Sequence, residues 1–577
     1  MPVQNSDISK IFNQLADLLE IKGDNPFRIR AYRMAARNIG SLSDDVREMI
    51  KKGKDLTEIS GIGKELAEKI EEIVNSGGLS QLEEIKKEVP EALIALLKIE
   101  GLGPKRTGAL YEKLGIENLA ELEKAAEAGI IKELAGFGEK TEQNILREIK
   151  RGGGKKGKKE RIILAEAEEL ARPLIEYLKQ IEGVKKIEIA GSYRRGRETV
   201  GDLDILVTHL KGADVMQRFV DYEDVERVLA KGQTKSLVVM KSKLQVDLRA
   251  VPEASYGAAL HYFTGSKEHN IQIRKMGSEK GLKINEYGVF RDDRRIAGKT
   301  EKEVFEQVGM PYIEPELREN RGELEAAKNN KLPQLIESED IRGDLHIHTN
   351  ETDGRSSLEE MAQAAIAKGY QYLAICDHSQ RVSVAKGMDE KRLSEQIARI
   401  ERLNEKLEKI VLLKSAEVEI LEDGSLDLPD RILQRLDLVV CAVHYKFRLS
   451  REKQTARIIK GISNPYVTIL SHPTGRLINR REPYELDMER LMKAARDSGC
   501  TLELNAQPER LDLNDLYCRM AKENGVMIAI SSDAHSTDQL KMMKYGLKQA
   551  RRGWLEAEDV LNTKSLEQLL KWIKNRR

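Results

Sequence analysis

The sequence predicts a multidomain chain with an all-α N-terminal part, an α+β middle part and a C-terminal α/β part. Its 577 residues correspond to about four domains, which excludes a single compact core. Helical runs joined by glycine turns occupy residues 8–150, and alternating or β-branched strand patterns occupy 185–251. From residue 341 onward, seven short apolar strands alternate with amphipathic helices, which predicts a distorted barrel of the (β/α)7 type.

The composition is typical of a globular protein, with 40% hydrophobic and 33% charged residues. The 97 basic and 96 acidic residues nearly cancel, so a surface that binds nucleic acid must be local. No apolar run reaches the roughly 18 residues of a membrane span and no secretory signal is visible, so we expect a cytoplasmic protein without a membrane partner. The cysteines form no CxxC pair, which predicts buried free thiols at Cys376, Cys441, Cys500 and Cys518.

Three segments of the N-terminal part share a Gly-apolar-Gly turn between helical runs, at 60–64, 100–105 and 135–140. Such a turn exposes backbone amides and the start of the next helix, where a phosphate can bind. One copy would more often be a plain connector, but three copies resemble helix-hairpin-helix elements, which bind DNA backbones without reading sequence. The third copy is the weakest because Glu139 follows it. The candidate DNA contacts are Gly61, Gly63, Lys64, Gly101, Gly103 and Lys105.

In the middle part, a Gly-Ser turn follows one strand and an Asp-Leu-Asp motif opens the next. Asp202 and Asp204 share a face of their strand, and Asp247 lies in a later strand that can pair beside it. Three convergent carboxylates need divalent cations to offset their repulsion, so we expect Mg²⁺ or Mn²⁺. The chemistry served is phosphoryl transfer, with Ser192 and the turn amides holding a triphosphate and Arg195 neutralising it. The alternative is a solvated strand end, which the upstream Gly-Ser turn disfavours.

The C-terminal part contains six of the nine histidines, and each stands beside the predicted C-terminal end of a strand. In a barrel-type domain these strand ends converge on one mouth. Imidazoles and carboxylates in this number suit a cluster of two or three Zn²⁺ or Mn²⁺ ions, rather than six unrelated structural histidines. The nine candidate ligands are His346, His348, Asp353, His378, Glu417, His444, His472, Asp533 and His535.

The segment GSYRRGRETVGDLDILV resembles the palm signature of the family X DNA polymerases, the DNA polymerase beta-like enzymes, and the resemblance covers residues 1 to about 320. A thumb segment, YFTGS, supports it. The resemblance implies an aromatic pair lining the sugar pocket, an amide on the incoming base and a guanidinium on the template side, namely Tyr262 with Phe263, Asn270 and Arg274. The implied nucleotide-binding set is Gly191, Ser192, Arg195, Gly201, Tyr262, Phe263, Gly265, Asn270 and Arg274.

The N-terminal segments PFRIRAYRMAARNI and GIGKELAEKIEEI resemble the small lyase domain of the same enzymes. The resemblance implies that Lys69 is the Schiff-base lysine, which attacks the deoxyribose aldehyde at a repaired site. Glu65 departs from the pattern, because the animal enzyme has a lysine there, and it weakens the local positive field. The alternative reading of Lys69 is a solvated helix residue.

The motifs DLHIHT, CDH, SHP and SDAH resemble the polymerase and histidinol phosphatase (PHP) domain over residues 341–577. The resemblance implies a manganese-dependent 3′–5′ exonuclease that also cleaves at abasic sites. We therefore expect a monomeric DNA polymerase that fills short gaps in base excision repair, with gapped or primer-template DNA and dNTPs as partners. The alternatives are a polymerase fused to a small-molecule phosphoesterase, and a DNA-binding scaffold with weak polymerase activity.

The expected domains follow these signals. They are a lyase-like helix-hairpin-helix domain over 1–85, a fingers helix-hairpin-helix domain over 86–150, a basic linker over 151–161, a nucleotidyltransferase palm over 162–254, a thumb over 255–319, a linker over 320–340 and a PHP nuclease domain over 341–577.

Overall fold

The computed structural model describes residues 3–40, 42, 45–59, 61–97, 99, 102–150 and 161–576. The chain divides into two compact units, Met1–Arg161 and Ile162–Arg577. Gly101 and most of the expected basic linker, 151–160, lie outside the described residues, so those two expectations stay predictions. Within the described ranges, no helix combines the length and apolar character needed to cross a membrane. All four cysteines are free and buried, as predicted.

The first unit is helical. A hydrophobic cluster runs from its first helix to its last, with Phe12 and Ile145 fully buried, so the two expected helix-hairpin-helix domains share one core. The helices are α1 (Asn5–Lys22), α2 (Pro26–Gly40), α3 (Val46–Lys51), α4 (Lys64–Ser76), α5 (Ser80–Glu88), α6 (Leu93–Leu96), α7 (Pro104–Leu114), α8 (Leu119–Glu127) and α9 (Glu139–Lys150).

The second unit begins with a mixed sheet. Its elements are β1 (Ile162–Ile163), α10 (Leu164–Lys179), β2 (Val184–Ile189), α11 (Gly191–Arg194), β3 (Thr199–Val200), β4 (Asp202–His209), α12 (Val215–Val220), β5 (Val225–Lys231), β6 (Lys235–Met240) and β7 (Gln245–Ala250). The five-stranded sheet has the order β2-β4-β7-β6-β5, and β4 and β7 pair in parallel. The strand β5 was not predicted, because most of its side chains are exposed and show no alternation.

A small α+β region follows the sheet. Its elements are α13 (Tyr256–Thr264), α14 (Lys267–Glu279), β8 (Leu282–Asn285), β9 (Gly288–Arg291), β10 (Arg294–Ala297), α15 (Glu301–Val308) and α16 (Glu323–Lys328). The residues of the expected linker over 320–340 pack against both neighbouring regions. This segment contains α16, whose Glu323 is fully buried with its carboxylate 2.8 Å from Nδ1 of His269, and Leu335 forms a bridge with Glu556.

The remainder alternates strands and helices as predicted. Its elements are β11 (Gly343–Ile347), α17 (Leu358–Ala367), β12 (Tyr372–Ile375), α18 (Glu390–Asn404), β13 (Val411–Lys414), β14 (Glu417–Glu419), α19 (Asp430–Leu433), β15 (Val440–Ala442), α20 (Arg451–Ile462), β16 (Ile469–Leu470), α21 (Met488–Ser498), β17 (Thr501–Asn505), α22 (Asp515–Glu523), β18 (Ile528–Ser531), α23 (Met543–Arg552) and α24 (Leu566–Arg576).

These strands pair in parallel in two sheets, β11-β12-β13 and β14-β15-β16-β17-β18. The third predicted strand is therefore split into β13 and β14. Two isolated parallel bridges link the two sheets: Ile347 at the end of β11 pairs with Ala534 after β18, and His378 after β12 pairs with Glu417 at the start of β14. The pairing thus runs in a closed circuit, and the C-terminal strand ends that carry the histidines face one another across it.

Candidate active sites

The three palm aspartates meet at the centre of the mixed sheet. Asp204 on β4 stands directly opposite Asp247 on β7, and Asp202 precedes Asp204 by two residues on the same strand. Burial, followed by the charges of Asp202 and Asp247, raises the pKa of Asp204 to about 6. The sheet therefore concentrates negative charge where the sequence predicted a metal site.

The Gly-Ser turn packs directly on this carboxylate group. Gly191 opens α11 with φ +64, and a Cβ there would lie 2.6 Å from Oδ2 of Asp204. A side chain would both strain the backbone and collide with the carboxylate, so the close approach requires glycine. Ser192 follows within α11, and Gly201 lies immediately before β4. The turn and the aspartates thus form one continuous surface.

The contacts of Asp247 leave room for a cation. Its Oδ2 accepts a hydrogen bond from Arg249 at 3.1 Å and lies 3.2 Å from Nζ of Lys235. Its Oδ1 is buried and has no hydrogen-bond partner in the described chain. A buried carboxylate oxygen without a donor is unfavourable in a dry site, so these residues fit Mg²⁺ or Mn²⁺.

The other predicted nucleotide contacts surround this surface. Nε of Arg195 donates to Glu319 at 3.0 Å and Nη1 to the carbonyl oxygen of Thr264 at 2.5 Å, so in this structure a carboxylate holds the guanidinium that was predicted to bind phosphate. Gly265, with φ +71, would place a Cβ 3.2 Å from the same guanidinium.

The aromatic pair and its neighbours are arranged beside the turn. The rings of Tyr262 and Phe263 lie edge to face at 5.1 Å, and Arg249 stacks on Phe263 at 4.3 Å. Asn270 donates to the carbonyl oxygen of Tyr262 at 2.7 Å, whereas its Oδ1 is buried without a partner in the described chain. Arg274 is exposed on α14. Asn270 thus keeps a free acceptor for a ligand.

The nine predicted ligands of the C-terminal part come together. Within the described chain, most of them group in three overlapping sets whose donor atoms lie within 4.8 Å of one another: His348 with Asp353, His378 and His535; His346 with His348 and Asp533; and His378 with Glu417 and His444. His472 joins them through Nε2, 3.0 Å from Oε1 of Glu417. A cavity of about 240 Å³ opens onto this cluster and is also lined by Arg510 and Val384.

Glu417 lies at the centre of the cluster. Its two oxygens are within 3.0 Å of ring nitrogens of His378 and His472, and within 3.7 Å of His346 and His348. The Nε2 atoms of His346 and His348 are only 3.0 Å apart. Facing imidazole nitrogens around a buried carboxylate suit shared Zn²⁺ or Mn²⁺ ions, so the donor set fits such a cluster.

The protonation behaviour of the cluster follows from its charges. Burial disfavours charge on His346, yet Glu503 and Glu417 raise its pKa well above the ordinary value. Burial and neighbouring imidazoles lower the pKa of His348 to about 3. Burial would raise the pKa of Glu417, but the surrounding imidazoles hold it well below its usual range. The site therefore keeps its carboxylate ionised, as a metal ligand requires.

A layer of carboxylates orients the histidines, and the sequence did not predict it. Nδ1 of His346 lies 2.7 Å from Glu503, and Nδ1 of His444 lies 2.7 Å from Glu419. Both glutamates are buried in strands, and both stand two residues from another polar residue on the same face, in the patterns EVE and ELN. That spacing inside an apolar strand was the available signal. Such partners fix the ring orientation and direct Nε2 to the metal.

The described residues of the three glycine turns share one backbone hydrogen bond. The amide of the apolar residue donates three residues back in each copy, from Ile62, Leu102 and Phe137, at 2.9, 3.0 and 2.9 Å. Gly63 and Gly103 begin the following helices, and Gly61 adopts φ +80. Lys64 and Lys105 are exposed beside these turns. The first two turns are thus each followed by an exposed lysine at the start of a helix.

Lys69 lies on α4, and its Nζ is 2.5 Å from Oε1 of Glu65. The lysine side chain is 17% exposed and the glutamate 71%. Glu65, the departure noted in the sequence, therefore forms a direct ion pair with Lys69.

Family models match nearly every part of the chain. They are a helix-hairpin-helix domain over residues 3–79, a SAM-like helix-hairpin-helix tandem over 93–151, a DNA polymerase beta palm over 161–261, a DNA polymerase beta thumb over 259–319 and a PHP domain over 344–507. A Bacillus subtilis (strain 168) protein named DNA polymerase/3′-5′ exonuclease PolX is 40% identical over 577 residues, which cover 99% of this chain and 100% of that protein.

The chain belongs to the family X DNA polymerases that carry a C-terminal PHP domain. Two shorter relatives are named as probable phosphatases. One, from Thermoanaerobacter sp. (strain X514), is 32% identical over 231 residues, covering 38% of this chain and 89% of its own length. The other, from Caldanaerobacter subterraneus subsp. tengcongensis, is 29% identical over 245 residues, covering 41% and 91%. This family X chain therefore combines polymerase beta palm and thumb regions with a PHP region.

Proposed function

We propose that this chain extends DNA primers at the aspartates of the mixed sheet and removes 3′-terminal nucleotides at the histidine cluster. As a family X enzyme with a PHP domain, it is a DNA polymerase with a 3′–5′ exonuclease. The observation that carries the proposal is the presence of two complete and chemically different donor sets in one chain: three carboxylates in the palm, and nine histidines and carboxylates at the C-terminal strand ends.

In the palm, Asp202, Asp204 and Asp247 would hold two divalent cations, Mg²⁺ or Mn²⁺. Such cations supply charge neutralisation to the attacking and leaving oxygens of nucleotidyl transfer. The turn that starts at Gly191 brings backbone amides and Ser192 within reach of a triphosphate, because its glycine permits contact with Asp204. A triphosphate would replace Glu319 as the partner of the Arg195 guanidinium.

At the cluster, the nine candidate ligands would hold Mn²⁺ or Zn²⁺, which supply a nucleophilic oxygen at neutral pH and Lewis acidity. Glu503 and Glu419 fix the rings of His346 and His444, so that Nε2 of each ring faces Glu417 among the other candidate ligands. Arg510 lines the cavity and lies 3.8 Å from Asp533, where its cationic group can hold a phosphodiester. These residues position a DNA end rather than carry out a separate step.

Four further assignments concern gap binding, abasic-site cleavage, lyase chemistry and oligomeric state. We propose that the glycine turns of the first unit bind the DNA backbone on both sides of a short gap and that Lys64 contributes to the grip on a 5′ phosphate, as gap filling in base excision repair requires. We further propose cleavage at abasic sites by the cluster, and lyase chemistry at Lys69 once its ion pair with Glu65 opens. We also propose that the chain acts as a monomer.

The relatives named as phosphatases support a second candidate for the cluster, a small-molecule phosphoesterase. A direct test compares the full chain, loaded with Mn²⁺, on a 3′-labelled oligonucleotide and on histidinol phosphate. We expect release of mononucleotides from the 3′ end at a kcat/KM at least about 100-fold above that for the monoester. The reverse preference would contradict the exonuclease assignment and leave the polymerase assignment intact.

A further inference from the structure

Arg476 contacts both the palm and the C-terminal part of the second unit. It follows β16 by six residues and the candidate ligand His472 by four. Its side chain is 12% exposed, so the guanidinium is almost entirely enclosed by protein. A buried guanidinium needs partners for its donors, and the identity of these partners shows what Arg476 holds in place.

Its partners belong to two different regions. Nε of Arg476 donates to the carbonyl oxygen of Arg510 at 2.9 Å, and Nη2 donates to that of Leu511 at 2.5 Å. Nη2 also forms an ion pair with Oε2 of Glu198 at 2.7 Å. One planar group therefore joins the loop after β17 to the segment that precedes β3 in the palm.

The loop after β17 faces both sites. The side chain of Arg510 lines the cavity of the histidine cluster, whereas the next side chain, Leu511, is buried in the hydrophobic cluster of the palm sheet. Leu511 adopts φ +40, a strained conformation for a branched residue, and such strain persists only where the surroundings enforce it. The two carbonyl contacts of Arg476 are made at these two residues.

Glu198 belongs to the segment between the Gly-Ser turn and the catalytic aspartates. Two other contacts from the C-terminal part reach the same segment. Arg552 donates to the carbonyl oxygen of Arg195 at 2.8 Å. Lys548 packs on Gly196 so closely that a Cβ added to this glycine would lie 3.4 Å from Cβ of Lys548. The segment that presents the triphosphate-binding turn is therefore anchored on the PHP part, with Glu198 as its charged anchor.

We propose that Arg476 is a positioning residue for both reactions, holding the nucleotide-binding turn through Glu198 and the cavity arginine Arg510 through its backbone carbonyl. The proposal rests on the proposed function, since it assigns the two sites to polymerisation and exonuclease activity. The guanidinium makes two kinds of contact, which can be tested separately. The ion pair serves the palm, and the two carbonyl hydrogen bonds serve the nuclease cavity.

Two variants test the two contacts separately. Glu198→Ala removes the palm contact, and we expect the KM for dNTP to rise about fivefold with kcat and exonuclease activity nearly unchanged. Arg476→Lys keeps a cation for Glu198 but loses the planar fork, and we expect exonuclease kcat/KM on a 3′-labelled strand to fall about fivefold with the KM for dNTP unchanged. Arg476→Ala should show both losses.

Arg480→Ala is the matched control, because Arg480 is 68% exposed in the same loop and pairs with Glu509 at 3.0 Å. It should leave both activities unchanged. Equal losses of both activities in Glu198→Ala and in Arg476→Lys, or losses that follow a lowered melting temperature, would overturn the proposal. If the parent chain lacks exonuclease activity, the proposed function fails, whereas the Glu198→Ala polymerase assay still decides the palm half.

Discussion

The palm aspartates and the histidine cluster handle negative charge in opposite ways. In the palm, burial and like charges raise the pKa of Asp204 to about 6, so the site resists full ionisation in the absence of cations. In the cluster, imidazoles hold the pKa of Glu417 well below its usual range. The palm carboxylates therefore need added positive charge to ionise fully, whereas the imidazoles of the cluster already offset the charge of Glu417.

This contrast matches the two kinds of chemistry. A carboxylate site with few nitrogen donors suits hard ions that arrive with a nucleotide triphosphate and leave with pyrophosphate. A nitrogen-rich site with oriented rings suits ions that stay bound between reactions. The two reactions can therefore be separated by substitution, by metal binding and by stability in a chelator.

The largest effect is expected for the central carboxylate of the cluster. Glu417→Gln keeps the size of the side chain but removes the charge that five histidines share, so we expect loss of bound metal and a fall in exonuclease rate of at least about 100-fold. Primer extension should stay within about twofold of the parent. Metal analysis and paired activity assays on the purified variant provide the check, with Glu422→Gln, an exposed glutamate three residues beyond β14, as control. Retained exonuclease activity would show that the cluster is not the nuclease site.

For the palm we expect a smaller effect on stability, in which removing a carboxylate stabilises the fold. Because folding raises the pKa of Asp204 from 3.8 to about 6, its ionisation opposes folding above about pH 6, and the penalty disappears as the pH falls toward 3.8. Asp204→Asn should therefore stabilise the chelator-treated chain at pH 7.5 by about 1–3 kcal/mol, while abolishing primer extension. Thermal unfolding in EDTA between pH 4 and 8 tests this prediction. A variant that is less stable than the parent at pH 7.5 would contradict the charge argument.

The smallest effect is expected for the first unit, which contains neither metal site. Lys64→Ala or Lys105→Ala removes one exposed cation beside a glycine turn, so affinity for gapped DNA should fall a few-fold and the salt dependence should lose about one unit of slope. The kcat of both reactions should not change. Titrations at several salt concentrations provide the measurement, with exposed Lys124 on α8 as the control position. Lys64→Ala should also reduce the preference for a 5′-phosphorylated gap, and equal affinity of the parent for both gaps would contradict that role.

The sequence predicted the residues whose signal is local. The histidines stand at predicted strand ends. Asp202 and Asp204 are two residues apart on one strand, so strand periodicity alone places these two side chains on the same face. The pairing of Asp204 with Asp247 followed from expecting neighbouring strands. The structure brings each of these residues to the predicted surface, whereas their individual roles stay predictions.

The parts that were missed depend on long-range contacts or on exposure. Glu503 and Glu419 lie within apolar strands, where a buried carboxylate cannot be told from an exposed one until its histidine partner is known. The contact of Arg476 with Glu198 spans 278 positions, and no local pattern encodes it. In the expected linker, the polar sequence around α16 gave no signal for the burial of Glu323.

The central claim is that two separate metal centres perform two separate reactions in one chain. The most direct measurement assays primer extension and 3′-exonuclease activity side by side in Asp247→Ala and His346→Ala. Asp247→Ala should abolish nucleotide addition while DNA binding and exonuclease activity survive, and His346→Ala should lower exonuclease activity by orders of magnitude while extension continues. Loss of both activities in either variant, parental extension by Asp247→Ala, or undiminished exonuclease activity in His346→Ala would contradict the claim.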